Sequence, residues 1–345
     1  MSKLKNKFSP YWVNVMILVF LLVINIAVGA VFIPPGTLTR IMASRLPFVN
    51  LETVWPTHFE TIILSIRIPH AFLIMMTGAA LGASGAAYQG LFRNPLADPY
   101  LIGVASGAGL GAVGALSLNW PDTMLGFYLV PVGAFLGAVL TVVVVYNLAR
   151  IGNLVPLTTL ILAGVAVGAF TSALTSFLML WDQDQIHRAI AFLLGGSPMA
   201  GWEPVMAALP YMVIGMGSLS LLGYPLNILQ FGDEQAKQLG LPVDRIKTLI
   251  IIVASITTAV AVSFSGVIGF VGLVVPHILR LIWGPDYRRL IPLSILLGGS
   301  TLLAADMLAR WVLAPRVLPV GIVTAVIGAP FFLWILRRAK AEVFW

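Results

Sequence analysis

The chain has 345 residues, of which 59% are hydrophobic and only 10% are charged, and its formal net charge is +7. That balance excludes an ordinary water-soluble domain and indicates a protein that crosses the membrane several times. The positive charge fits lysines and arginines in cytoplasmic loops, so no nucleic acid is expected as a partner.

Apolar runs long enough to cross a bilayer, about 20 residues each, recur along the whole chain. The first follows three N-terminal lysines, and its length favours an uncleaved membrane helix over a signal peptide. The stretch 248–283 is too long for one span and contains Pro276, so we expect a regular seventh span and a short, irregular eighth. The chain should therefore form a single all-α membrane domain, residues 1–345, of about ten transmembrane helices. The clear runs are 11–33, 62–87, 99–118, 124–149, 155–181, 203–223, 247–265, 290–309 and 318–336.

The stretch 75–113 is the most informative part of the chain. Glycines recur in it at four-residue spacing, at Gly78 and Gly82 and then at Gly103, Gly107 and Gly111. In lipid this spacing lets helix backbones approach closely. A polar connection, 93–98, is bounded by Pro95 and Pro99, which disfavour continuous helix. The pattern predicts two tightly packed spans joined by a rigid loop.

Basic residues are biased to one side of these spans. With ten spans and the N-terminus inside, most of the 20 lysines and arginines lie on the cytoplasmic side. The run 189–195 would reverse the later loops if it crossed the membrane, but it is too short. We therefore expect an external interfacial or re-entrant piece there, and both chain termini in the cytoplasm. The basic residues left outside are Arg40, Arg45, Arg67, Arg188, Arg310 and Arg316.

The longest cytoplasmic loop, 224–247, is too apolar to be a solvated linker. Gly232-Asp233 at one end and Gly240-Leu241-Pro242 at the other predict a short amphipathic helix between them. Such a helix either lies on the membrane surface or docks in a groove of a partner. Composition alone leaves both interpretations open.

Chemical motifs are missing from the sequence. It contains no G-x-x-x-x-G-K-[ST], H-E-x-x-H or G-x-S-x-G pattern and no cysteine, so no catalytic residue and no metal site are expected. Energy must then come from a partner or an ion gradient, yet the predicted span centres hold almost no ionisable residue for an ion path. Asp306 and Arg310, near an outer helix end, are typical of an i,i+4 ion pair. His277, directly after Pro276, is expected at a helix start.

Several long motifs, in order along nearly the whole chain, resemble one family. It is the FecCD-like group of permease subunits, which serve the type II ATP-binding-cassette (ABC) importers for vitamin B12, haem and iron–siderophore complexes. The motifs are RIPHAFLIMMTGAALGASGAAYQGLFRNPLADPYLIGVASGA at 67–108, LLGGSPMAGW at 193–202, FGDEQAKQLGLP at 231–242, GFVGLVVPHILRLIWGPDYRRLIPLSILLGG at 269–299, LAADMLAR at 303–310 and LPVGIVTAVIGAPFFLWIL at 318–336.

The resemblance implies roles for individual residues. The loop 224–247 would couple the chain to an ATPase through Phe231, Gly232, Asp233, Ala236, Leu239 and Gly240. Glycine and alanine there would let the ATPase approach closely. A cytoplasmic gate would be formed by Asn94, Leu96, Thr158 and Thr159. A substrate-binding protein would dock outside on exposed Arg67, His70 and Arg310, although many relatives have an arginine where this chain has His70.

The resemblance also implies partners and a location. Two permease chains, identical or paralogous, would pair around a central path in the bacterial or archaeal inner (cytoplasmic) membrane, surrounded by lipid. Two ATPase subunits would bind the ATP and Mg²⁺, so this chain itself would hold no cofactor. A periplasmic or lipid-anchored protein would deliver the substrate.

Two classes of function stay in view. The first is the permease subunit of an ATP-driven importer, with an iron chelate (siderophore or haem) favoured over cobalamin because iron importers are the larger part of the family. The second is a gradient-driven secondary transporter or channel. Uptake that requires a co-expressed ATPase separates the two.

Overall fold

Helices make up nearly all of the described chain. The computed structural model describes residues 9–29, 31, 33–45, 55–118, 120, 124–152, 155–196 and 199–343. The N-terminal lysines and part of the motif at 193–202 therefore lie outside the described residues. The helices are α1 (Pro10–Ala27), α2 (Pro35–Ala43), α3 (Thr57–Thr61), α4 (Ile68–Phe92), α5 (Val104–Leu116), α6 (Met124–Ala149), α7 (Leu157–Trp181), α8 (Ile186–Leu193), α9 (Trp202–Leu221), α10 (Gly223–Leu229), α11 (Asp233–Gln238), α12 (Val243–Ser265), α13 (Val271–Trp283), α14 (Tyr287–Trp311) and α15 (Val320–Val343).

Ten segments of the described chain can account for the predicted spans. Seven are long and apolar enough to cross a membrane by themselves: Pro10–Ala27, Thr57–Phe92, Gly126–Ala149, Leu157–Trp181, Trp202–Leu221, Val243–Ser265 and Tyr287–Trp311. Three shorter apolar helices are Val104–Leu116, Val271–Trp283 and Val320–Trp334. The predicted all-α, multi-span fold is therefore confirmed. The run 189–195 falls largely in α8, which at 8 residues is too short to span.

Two predicted boundaries differ from the structure at α4. The second span was expected to begin at 62, but the helical segment begins at Thr57 and passes through a π-helical stretch, Ile62–Arg67, before α4. An apolar run cannot predict this extension, because the extra turns contain polar residues. The third span is interrupted at Gly103, whose φ of +84° ends the 3-10 turn Pro99–Ile102 and starts α5. Glycine is therefore needed at position 103 for its left-handed backbone conformation, and not for close packing on the face of a helix.

The predicted irregular eighth span is irregular only before its helix. Residues 266–270 are non-helical and include Phe270, a non-glycine residue at φ +70°, whereas α13 is a regular helix of 13 residues. His277 lies in the middle of α13, so the prediction that it starts a helix is wrong. Pro276 lies inside α13, and the helix continues past it to Trp283.

Glycines let α4 approach its neighbours at backbone contact, as their spacing predicted. A Cβ atom placed on Gly82 would lie 2.3 Å from the Ser294 carbonyl oxygen of α14, and one on Gly85 would lie 1.9 Å from the Gly272 oxygen of α13. Between α5 and α6, a Cβ on Gly111 would lie 2.0 Å from the Gly133 oxygen. Distances this short leave no room for a side chain. The α4 helix is accordingly buried on all sides for most of its length.

Candidate functional site

The loop 224–247 (the coupling loop) folds as two short helices, α10 and α11, before α12. Gly232 precedes α11 with φ +110° and Gly240 follows it with φ +83°, so glycine is needed at both positions for the backbone itself. The end of α11 is closed by Leu241 N–H donating to the Ala236 carbonyl at 3.0 Å and Gly240 N–H donating to the Lys237 carbonyl at 2.9 Å. The predicted helix between the two glycines is confirmed.

The coupling loop has an inner and an outer face. Ala236 is completely buried within the chain's own core, and no atom lies within 4 Å of a Cβ placed on Gly232 or Gly240. The expectation that Ala236 leaves room for a partner is therefore wrong, because the body of the chain already occupies that side. Phe231 and Leu239, on the other side of the loop, are 66% and 65% exposed.

Asp233 joins the coupling loop to the rest of the protein. Its carboxylate is hydrogen-bonded to Arg93, which follows α4, and to Lys247 of α12. Burial alone would raise the pKa of Asp233, but the pairs with Lys247 and Arg93 hold that pKa below its ordinary value. The carboxylate therefore stays ionised at neutral pH, and the stability that these pairs provide is lost only as the pH falls through the lowered pKa.

Residues 93–98 (the gate turn) contain two predicted gate residues. The turn opens with Arg93 in the left-handed conformation, at φ +50°, while Asn94 N–H donates to the Gln89 carbonyl at 3.2 Å. The Asn94 side-chain oxygen accepts the N–H of Leu96 at 2.9 Å. Asn94 thus folds its own turn, and a hydrogen-bonded turn connects the two helical segments where the sequence predicts a rigid loop.

The other predicted gate residues lie across a polar cleft. Thr158 is exposed and Thr159 half-buried in the first turn of α7, directly after Pro156. A cleft of about 420 Å³ separates this turn from the coupling loop. Its lining residues are Phe92, Arg93, Val155, Pro156, Leu157, Asp233, Lys237, Asp244 and Lys247. The cleft therefore brings together the neighbours of both predicted gate segments.

The predicted docking residues form a buried cluster near the end of α1. Arg67 is only 6% exposed, and its guanidinium donates to the Ile26 carbonyl at 3.2 Å, the Ala27 carbonyl at 3.0 Å and the Val31 carbonyl. The last carbonyls of a helix have no partner within it, so Arg67 satisfies the end of α1. The expectation that Arg67 is exposed is wrong.

Asp306 organises the other half of this cluster. Its carboxylate lies 2.7 Å from the Arg310 guanidinium, 2.9 Å from His70 Nε2 and 2.9 Å from the Asn25 amide. Arg310 also donates to the Val28 and Asn25 carbonyls at 3.0 and 3.1 Å. The predicted Asp306–Arg310 ion pair is confirmed, but its side chains are only 6% and 11% exposed.

Comparison with known proteins defines the family of this chain. The sequence profile of the FecCD transport family matches residues 17–338. The chain belongs to the FecCD transport family. It is 44% identical over 310 residues to the cobalamin import system permease protein BtuC of Halobacterium salinarum, covering 90% of this chain and 81% of that one. It is 38% identical over 305 residues to the hemin transport system permease protein HmuU of Yersinia pestis, covering 85% and 90%.

A solved structure has the same fold as this FecCD-family chain. It is an inward-facing conformation of a metal-chelate type ABC transporter, with a TM-score of 0.76 and 27% identity over 95% of this chain and 99% of that one. The ten-span arrangement is therefore that of an ABC importer permease.

The sequence did not predict several residues that hold the coupling loop and the Asp306 cluster in place. Arg93, Gln230 and Lys247 connect the coupling loop to α4 and α12, and Asn25 connects α1 to Asp306. Asn25 could have been noticed, because a polar side chain within the first apolar run needs a partner there. The other three carried no signal, since basic and amide residues are ordinary at the ends of membrane helices and in the loops between them.

Replacing Asp306 by alanine should destabilise the FecCD-family chain strongly. The change leaves the buried Arg310 charge without its partner, and breaking such a pair costs about 3–5 kcal/mol. Thermal unfolding of the detergent-purified chain should show a lower Tm, whereas Asp184→Ala in the exposed turn Gln183–Gln185 should leave the Tm unchanged. An unchanged Tm for Asp306→Ala would contradict a structural role for the cluster.

Proposed function

We propose that the chain is the membrane permease subunit of an ATP-driven importer that moves an iron chelate, a siderophore complex or haem, across the cytoplasmic membrane. The observation that carries this proposal is the coupling loop, which presents two exposed apolar side chains while its inner face is packed against the core. Exposed apolar side chains on both sides of a short helix, Phe231 before α11 and Leu239 directly after it, are suited to a groove on a partner protein. The relatives named above are import permeases, which supplies the class of partner.

The proposed assembly contains two ATPase subunits and two permease chains, each with its own role. Two ATPase subunits hold ATP and Mg²⁺ and dock on Phe231 and Leu239 at the cytoplasmic face, while this chain has no ATPase site of its own. Two permease chains, identical or paralogous, enclose the path. Asn94 and Leu96 from the gate turn and Thr158 and Thr159 from α7 close its cytoplasmic exit. Small and hydroxyl-bearing side chains suit that task, because they pack closely and part without leaving a charge unpaired.

A substrate-binding protein is proposed to dock at the opposite end, over the Arg67–His70–Arg310 cluster. The burial of both arginines changes how this docking is understood. His70, whose side chain is 32% exposed, offers the accessible edge of the cluster. The arginines would then position that edge and supply positive potential, rather than each pairing with a partner carboxylate.

The proposed orientation follows from charge. Both termini lie in the cytoplasm, and so do the coupling loop and the gate turn. Arg93, Lys237, Arg245 and Lys247 place positive charge on this side of the chain, in agreement with the usual excess of basic residues in cytoplasmic loops. The short external helix α8 lies at the other surface.

Cobalamin is the second candidate substrate. The 44% identity to a cobalamin import permease favours it, while the 38% identity to a hemin permease supports the iron chelate. All of these cargoes are large metal chelates, so the proposed class of substrate is the same. A gradient-driven transporter is the alternative that the experiment must exclude.

Uptake should depend on a separate ATPase. We expect proteoliposomes that contain this chain and its cognate ATPase, supplied with the binding protein outside, to accumulate one of haemin, ferric citrate or cyanocobalamin when ATP is enclosed. Without the ATPase, uptake should fall to the level of empty liposomes. Uptake by this chain alone under an imposed proton or sodium gradient would contradict the proposal.

A further inference from the structure

The contacts between the coupling loop and α4 point to a role that the proposed function does not specify. We infer that Asp233, through Arg93 and Lys247, is the positioning residue that makes the coupling loop and the gate turn move as one body, apart from the start of α7. The inference rests on the proposed function, because it describes how a force from the ATPase reaches the gate.

Three polar contacts fasten the coupling loop to the cytoplasmic end of α4 and to α12. The Gln230 amide donates to the Gly90 carbonyl at 2.9 Å, two residues before the end of α4. Asp233, the first residue of α11, is bonded to Arg93, the residue directly after α4. The same carboxylate is bonded to Lys247, whose side chain is only 13% exposed. Asp233 therefore joins α11 both to the start of α12, 14 residues later, and to Arg93, 140 residues earlier.

Apolar packing supports the same attachment. Ala236 is completely buried, and so is Leu226 on α10, which lies close to Gly90. A Cβ on Gly90 would lie 2.9 Å from the Leu226 side chain. Direct contact between α10 and α4 leaves no gap that could absorb a displacement. The polar contacts then fix the orientation of α11 against that packed base.

The gate turn continues directly from Arg93. Its first residues are held by the Asn94 and Leu96 hydrogen bonds described above, and Ala97 N–H donates to the Asn94 carbonyl at 3.1 Å. Ala97 is buried at 1% exposure, which anchors the far end of the turn. A movement of Arg93 is therefore passed to Asn94 and Leu96 rather than lost in a flexible loop.

The start of α7 is not joined to the coupling loop in the way that α4 is. The polar cleft of about 420 Å³ lies between Pro156 and Leu157 on one side and Asp233 and Lys247 on the other. Among the described hydrogen bonds, none joins 155–159 to the coupling loop. A displacement of the coupling loop can thus change the distance between Asn94 and Thr158, which is what opening or closing of the gate requires.

The experiment measures coupling separately from ATPase binding. The full complex carries Asp233→Asn in this chain, and its ATPase content and its rate of ATP hydrolysis are measured alongside uptake, so that a loss of ATPase binding is recognised separately from a loss of coupling. Uptake per ATP hydrolysed should fall severalfold, because a displacement of the coupling loop is no longer passed to the gate turn through Asp233. The transported probe is whichever of haemin, ferric citrate and cyanocobalamin the unaltered complex accumulates.

Control variants separate this role from a general loss of structure. Asp244→Asn is the matched control, because Asp244 lines the same cleft and pairs with Lys237 at 3.7 Å but does not contact α4. It should leave uptake per ATP unchanged. The triple reversal Arg93→Asp, Asp233→Lys, Lys247→Glu restores both pairs with opposite signs and should regain most of the coupling.

Spin labels give a second readout that needs no substrate. This chain has no cysteine, so labels can be placed on Pro95→Cys and Glu234→Cys alone. Their separation should stay the same between the nucleotide-free complex and the complex trapped with ATP and orthovanadate, and should broaden or shift in Asp233→Asn. Unchanged uptake per ATP and an unchanged label separation in Asp233→Asn would overturn the inference while leaving the proposed function intact. If the unaltered chain neither binds the ATPase nor shows ATP-dependent uptake, the proposed function itself fails.

Discussion

Replacing Gly85 by valine should prevent the membrane domain from folding. A Cβ at this position would lie 1.9 Å from the Gly272 carbonyl oxygen and 2.5 Å from the Gly272 Cα and carbonyl carbon. The obstacle is the backbone of α13, which cannot turn away as a side chain could. Overpacking a close-packed interior typically costs about 1–3 kcal/mol, and separating two helices that meet at backbone contact should exceed this range. Fluorescence-detected size-exclusion chromatography should show loss of the monodisperse peak.

Gly217 provides the matched control for this prediction. It also lies within a membrane helix, α9, but no atom lies within 4 Å of a Cβ placed on it. Valine has a somewhat better helix propensity than glycine, so Gly217→Val should be neutral or slightly stabilising. If both variants elute like the unaltered chain, then α4 and α13 do not meet at backbone contact in the membrane.

Replacing Leu239 by aspartate should abolish binding of the ATPase without affecting the fold. Leu239 is 65% exposed in the described chain, so a charge there is fully solvated before docking. In a docked complex the variant loses the burial of a leucine, about 1.5–3 kcal/mol, and must also desolvate an unpaired carboxylate, which costs several kcal/mol more. Since each 1.4 kcal/mol is a factor of about ten, Kd should rise at least 100-fold.

Binding of the ATPase to the nanodisc-embedded chain measures this effect directly. Met42→Asp on α2 is the control, because Met42 is another exposed apolar residue, at 43% exposure, on the surface that we assign to the outside. It should leave Kd unchanged. Unaltered ATPase affinity in Leu239→Asp would mean that the coupling loop docks elsewhere or lies on the membrane surface. Ala236→Trp is not a useful test, because Ala236 is buried and the change would disturb the loop itself.

The cluster near the end of α1 and the coupling loop differ in how their polar groups are used. Near the end of α1, the buried guanidinium groups of Arg67 and Arg310 are hydrogen-bonded to backbone carbonyls, and Arg310 is also paired with Asp306. These contacts stabilise that surface, and His70 lies at its edge. At the coupling loop, Asp233 joins α11 to Arg93 and Lys247 beside an open cleft, so these joined elements can shift together relative to the start of α7. The function proposed above uses this contrast, with a partner docking at the first surface and movement at the second.

Local sequence determined much of this protein by itself. Runs of about 20 apolar residues predict membrane helices because an unpaired backbone group cannot remain in lipid. The four-residue spacing of Gly78 and Gly82 predicted close packing, and the glycines around α11 predicted a short helix. Each of these signals depends on residues within one or two helical turns, where geometry follows directly from spacing.

Only the tertiary structure decided which side chains are accessible and which are joined. Arg67 is buried because the carbonyls it satisfies belong to α1, about 40 residues earlier. His70 and Asp306 are 236 positions apart, and Arg93 and Asp233 are 140 apart. Hydropathy describes a helix face but not which neighbour covers it, so Ala236 could be expected outside when it lies inside. Such contacts form where distant helices cross, and their partners are set by the packing of the whole bundle.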